Sequence, residues 1–96
     1  MLKFDEDNLR DVAEVVIQIN PSAEGMEVEY LMAKMRANAI ECFEENNNFG
    51  YLSTYGYVLT LYNDPWGNPS IKASVNVYTV KTFLEDNRYR LTKKAA

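Results

Sequence analysis

Between Met26 and Asn46 the apolar residues recur with the period of an α-helix, and nothing else in the chain constrains its fold so strongly. Val28, Leu31, Met32, Met35, Ala39, Cys42 and Phe43 step by three, one, three, four, three and one, which places them on one helical face. Glu27, Glu29, Lys34, Arg36, Asn38 and Glu41 fall between them and suit the solvent side. Glutamate in the first turn complements the helix dipole, whereas Glu44 and Glu45 oppose it at the far end. Asn46, Asn47 and Asn48 supply a stop, because Asn tolerates the left-handed conformation that ends helices. Met26, Met32 and Met35 lie in or beside the stripe; in register with Leu, Val and Phe they read as core filler rather than as an adaptable groove.

Upstream, residues 5–19 predict a first helix, capped by Asp5 or Asp7, with Leu9, Val12, Ala13 and Val16 on one face. The β-branched run Val15–Ile19 competes as a strand, but the helical spacing wins. Asn20-Pro21 ends the helix, because the residue before proline is pushed out of the α region. Residues 20–25 are a short connection between neighbouring helices, and Ser22 is a candidate cap.

Beyond the asparagines the period changes to two. Tyr55, Tyr57, Leu59 and Leu61 alternate with Gly56, Val58, Thr60 and Tyr62; Ile71, Ala73, Val75 and Val77 alternate with Lys72, Ser74, Asn76 and Tyr78. These are two antiparallel strands. Asp64-Pro65-Trp66-Gly67 fits a type I turn at their tip. Residues 50–54 are a candidate third strand. Thr79 can cap a short C-terminal helix, with Val80, Phe83 and Leu84 inward and Lys81, Glu85 and Asp86 outward. The fold class is therefore α+β: two N-terminal helices, an antiparallel β-hairpin with a possible third short strand, and a short C-terminal helix, in one domain spanning residues 1–96. A lone hairpin is marginal in water and leaves open edges, so pairing with a second copy, a homodimer, is expected.

Composition narrows the chemistry. Histidine is absent and cysteine occurs once, so Ser-His-Asp and Cys-His catalysis are excluded, and so is an intrachain disulfide. Transition-metal sites need clusters of these residues, so no metal is expected. Cys42 sits on the apolar stripe and reads as a small core residue rather than a nucleophile. The acids Asp5-Glu6-Asp7, Glu27 with Glu29, Glu44-Glu45 and Asp64 lack the pocket context of acid–base catalysis and the spacing of a calcium loop, and they read as caps and surface charge. Gly50 and Gly56 do not build a phosphate loop. The expectation is a non-enzymatic protein without cofactor. No apolar run reaches membrane-spanning length, and the acidic N-terminus is unlike a signal peptide, so the expected location is cytoplasmic.

Charge is unevenly spread. Residues 1–48 hold eleven acids against four bases, residues 49–96 three acids against six bases, and the net charge is −4. Arg88, Arg90, Lys93 and Lys94 make the C-terminus basic, which complements a helix end and is the one candidate phosphate contact outside the hairpin. Of seven tyrosines, Tyr51, Tyr55, Tyr57 and Tyr62 fall inside twelve residues and Tyr78 lies on the expected opposing strand, with the single tryptophan at the hairpin tip. Tyr55 and Tyr57 are expected to face the core, Tyr62 and Tyr78 to face away, with Lys72 on the same outer side. Trp66 at the tip either anchors a partner or folds back over the prolines.

Short, acidic, cofactor-free chains of this kind resemble the accessory proteins of viruses, phages and mobile elements. The expected function is protein binding, as an inhibitor or adaptor, through one of two surfaces. The first is Tyr62, Trp66, Lys72 and Tyr78 on the hairpin; the second is Glu27, Glu29 and Glu41 on the acidic helix. Nucleic-acid binding by the aromatic hairpin and the basic tail is the alternative, and a small ligand in a tyrosine-lined pocket ranks last.

Overall fold

The structure, a computed structural model, describes residues 2–46, 50–82, 84 and 85. The expected Asn47-Asn48 stop, the inward Phe83, the outward Asp86 and the basic Arg88, Arg90, Lys93 and Lys94 lie outside these residues.

The chain forms an α+β fold. In order it runs β1 (Lys3–Phe4), α1 (Glu6–Ile19), a 3-10 turn (Pro21–Ala23), α2 (Val28–Asn46), β2 (Gly50–Leu52), β3 (Tyr57–Asn63) and β4 (Pro69–Val75). Residues 77–82, 84 and 85 belong to a third helix. The strands make one mixed sheet in the order β1-β4-β3-β2. The β3–β4 hairpin is antiparallel, with Leu59 opposite Ala73; β2 pairs antiparallel with β3, and β1 pairs parallel with β4.

Helix α1 starts where the Asp5 carboxylate accepts from the Asn8 backbone N–H. Its expected stripe, Leu9, Val12, Ala13 and Val16, is buried. From α2 come Leu31, Met32, Met35 and Ala39, and from the sheet Tyr57, Leu59, Ile71 and Ala73. Burying such side chains at roughly 1.5–3 kcal/mol for each large one drives the two layers together. The two-residue pleat then fixes the other face: Lys3, Thr60, Tyr62, Lys72 and Ser74 are all exposed.

Four details differ from the reading of the sequence. Strand β1 was not expected; its two residues carry too short an alternation to register, and with β2 it flanks the hairpin on both sides. Next, β4 stops at Val75 rather than Tyr78, because Asn76 turns the chain into the third helix. The Asn76 side-chain oxygen accepts from the Tyr78 N–H, and its carbonyl accepts from the Val80 N–H. Asn76, not Thr79, is the cap, and Val77 and Leu84 are exposed at 71% and 54%. Finally, Asn20 rather than Ser22 caps the 3-10 turn, its side chain accepting from the Ser22 N–H.

Two contacts lock the layers. On the β1 side of β4, Asn8 of α1 presents its amide to Ala73 as a neighbouring strand would: its Nδ2 donates to the Ala73 carbonyl at 3.1 Å and its Oδ1 accepts from the Ala73 N–H at 2.8 Å. At the other end, Gly56 sits at φ +97°, with its carbonyl accepting from the Asn76 N–H at 2.7 Å. A Cβ there would lie 2.6 Å from both Asn20 Nδ2 and Thr79 Oγ1. The Asn20 amide also donates to the Tyr55 carbonyl, so α1, the β2–β3 turn and the third helix meet at this point.

Gly56→Ala combines backbone strain with this clash and is expected to cost about 2–3 kcal/mol, lowering the urea midpoint without changing the slope. Asn8→Leu fills the same space but strips Ala73 of two partners; equilibrium unfolding should show a loss of about 2 kcal/mol.

Candidate functional site

The tip of the hairpin is held by one carboxylate. Asp64 accepts from the backbone N–H groups of Trp66 and Asn68, both at 2.9 Å, and its N–H and carbonyl pair with Asn68 and Gly67. Pro65 supplies a fixed φ, and Gly67 takes a positive φ of +82°. The expected tight turn is therefore present, and Lys3 of β1 adds an ion pair to Asp64 at 3.4 Å. The Asp64 side chain is only 10% exposed. The Asn68 N–H first, then the Trp66 N–H and the Lys3 ammonium, hold its carboxyl below the usual carboxylate range against the opposing effect of burial.

This loop does not hide its tryptophan. Trp66 is 80% exposed, and the Lys3 ammonium lies 5.9 Å from its ring centroid. Beside the tip, Tyr62 stands opposite Ser70 and Lys72 opposite Thr60, so Tyr62 and Lys72 are diagonal neighbours on the open face. Together with Asp5, Asn8 and Ile71 they line a cleft of about 380 Å³. Lys3, which no sequence pattern singled out, joins this group because β1 places it opposite Ser70. Its only signal was alternation with Leu2 and Phe4.

Tyr78 does not belong there. It is 73% exposed, but on the third helix beside Ile19, Asn20 and Pro21, where it lines a separate cleft of about 230 Å³. The sequence put it on the sheet because its parity matched; the helix cap at Asn76 removes that parity.

The acidic option is divided. Glu29 is paired with Arg10 of α1, and Glu6 with Arg36 of α2 at 2.8 Å. Glu27 and Glu41 are exposed, but fourteen positions separate them, about 20 Å at 1.5 Å per residue. That exceeds the screening length of about 8 Å in physiological salt, so they do not act as one patch. Lys34, Arg36 and Asn38, expected in solvent, are half-buried. The Lys34 ammonium lies 5.1 Å from the Tyr30 ring and 5.9 Å from that of Tyr55, and the Tyr30 hydroxyl foremost raises its pKa.

Cys42 is half-buried. Burial first, then Glu45 and Glu41, pushes its thiol up, which disfavours the thiolate a nucleophile needs. Among the described residues no group of three acids or cysteines could hold a metal, and no helix is long and apolar enough to cross a membrane. Comparison with protein families, with curated proteins and with solved structures returned no match.

A carboxyl whose pKa is depressed by folding stabilises above its unfolded pKa, and that contribution disappears as pH falls through the folded value. Acid titration followed through the emission of the single Trp66 should therefore show a transition centred below the ordinary aspartate range. Asp64→Asn should flatten it, and Lys3→Ala should move it upward.

Proposed function

We propose that this chain is a non-enzymatic protein-binding module, an inhibitor or adaptor, that acts through the tip end of its open sheet face: Tyr62, Trp66 and Lys72, with Lys3. The observation that carries this reading is the pairing of a pinned loop with an exposed indole. Asp64 satisfies the loop's backbone, so the Trp66 main chain is fixed and its ring projects from an ordered turn, which lowers the ordering cost of binding there. Large aromatic residues pre-organised in this way are the commonest energetic anchors of protein interfaces. The acidic helical face is the weaker surface, since Glu29 already has a partner and Glu27 and Glu41 stand far apart. A half-buried thiol and no disulfide suit the cytoplasm, which the proposal includes.

A second reading has one observation in its favour. Two exposed rings beside two lysines on an open sheet form a platform on which single-stranded nucleic acid stacks. It requires retention on a phosphate-rich column that added salt abolishes.

Capture from a lysate of the source cells tests the main reading. The Tyr62→Ala/Trp66→Ala double variant should lose the captured protein, because an anchor worth about 2 kcal/mol corresponds to about thirtyfold in affinity. Charge reversal at Glu27, Glu29 and Glu41 should leave capture unchanged. Loss in the charge-reversed protein alone would move the surface to the helices.

A further inference from the structure

We infer that β1 is a strap for the hairpin tip: residues 2–4 leave β4 as a unit while the core stays closed, and the loop of residues 64–68 loses its order when they leave. This rests on the reading of Trp66 as a contact and names the device that regulates it.

The strap is separable because little else depends on it. Its ladder is two residues long, Lys3 opposite Ser70 and Phe4 opposite Ile71. Leu2 and Phe4 are only half-buried against the rim of the core. The start of α1 does not use β1: the Asp5 carboxylate caps it, and Asn8 holds Ala73 directly. A segment with few buried contacts opens at a lower free energy than the core.

The tip depends on the strap through one carboxylate, because Asp64 divides its oxygens. Oδ1 accepts from the backbone N–H groups of Trp66 and Asn68; Oδ2 accepts from the Lys3 ammonium at 3.4 Å and from the Asn68 side-chain amide at 3.5 Å. The Asp64 side chain is nearly buried, and Lys3 is its one cation among the described residues. When β1 leaves, that charge loses its counter-ion, and a nearly buried carboxylate without one is drawn to water. Turning outward takes Oδ1 away from the Trp66 and Asn68 N–H groups. The same ammonium lies 5.9 Å from the Trp66 ring centroid, so ring and turn lose a neighbour together. With the strap docked, the indole projects from an ordered turn; with it released, a partner has to order the turn first.

Exchange of backbone amides in deuterated water, read by NMR on the full chain, tests this. The Ala73 N–H points to the β1 side of β4, where Asn8 takes it. Ile71, two residues earlier, points the same way and lies under β1. Ile71 therefore reports the strap, Trp66 and Asn68 the tip, Ala73 and Met35 the core. Lys3→Met should speed exchange at Ile71, Trp66 and Asn68 by a common factor of about five, the worth of one well-placed ion pair. Asp64→Asn, a change in the tip, should speed Ile71 by the same factor. The double variant should add nothing further at Ile71, since each change removes the same bond. Ala73 and Met35 should keep their wild-type rates in all three. Ile71 unmoved by Asp64→Asn, additive effects in the double variant, or Ala73 and Met35 rising in step with Ile71 would each overturn the inference. None of these readouts involves a partner. If they hold while lysate capture is indifferent to Trp66, the strap stands and the protein-binding reading falls; if capture needs Trp66 but Ile71 ignores Asp64→Asn, the contact stands and the strap falls.

Discussion

Helix α2 is keyed to the sheet by a buried hydroxyl, as α1 is by Asn8. Tyr57 opens β3, is fully buried and carries the one phenol oxygen in the core cluster. An unpaired hydroxyl there would cost about 1–3 kcal/mol, and Asn38 of α2 supplies the partner, donating to it at 2.7 Å. Apolar packing alone lets a helix slide on a sheet by small steps at modest cost. A directional bond at one position selects a single register. With Asn38 over Tyr57, the stripe of Leu31, Met32, Met35 and Ala39 falls inward, and Tyr51 packs 6.3 Å from Tyr57 on the neighbouring strand.

That register has a consequence on the other side of the sheet. Because the pleat repeats every two residues, committing Tyr57, Leu59, Ile71 and Ala73 to the helices commits Thr60, Tyr62, Lys72 and Ser74 to the opposite face. Their composition suits water. The hairpin could slip by one residue only by exchanging a buried leucine for a threonine, so the polar face is as well specified as the core. Ser70 is the one buried member of this set, and it keeps its hydroxyl satisfied through the Asn68 carbonyl at 3.4 Å.

Most of the fold was legible because its elements are written in local periods. The helical stripes of Leu9–Val16 and Leu31–Ala39, the alternation through Tyr57–Leu61 and Ile71–Val75, and the Asp-Pro-Trp-Gly turn each report on neighbours a few residues apart. The third strand at Gly50–Leu52 was visible only as an aromatic, glycine-rich stretch. What escaped the sequence is long-range. Strand β1 is two residues long, and its pairing with β4 spans most of the chain. The Asn8–Ala73 bonds look, from sequence, like an ordinary polar residue in a first helical turn. Tyr78 was misplaced for a different reason: alternation continued past Val75 by chance, and the capping power of Asn76 overrode it. Of the site, Tyr62, Trp66 and Lys72 were readable from parity and turn chemistry, whereas Lys3 required the fold.

The tip also differs in kind from the rest of the molecule. Elsewhere polar side chains serve the core: Asn8 closes an edge, Asn20 ties a junction, Asn38 satisfies a buried phenol. At the tip, Asp64 makes a comparable set of bonds, yet it buries nothing apolar and leaves the largest side chain of the protein in water. An aspartate in the first position, bonding the backbone two residues on, is an ordinary way to close such a turn, but a small polar residue would serve at position 66. Order maintained around an exposed indole adds little to folding stability, since exposed Trp66 forgoes most of the burial a tryptophan can gain. On the reading proposed above, the exposed ring gains its burial when a partner covers it.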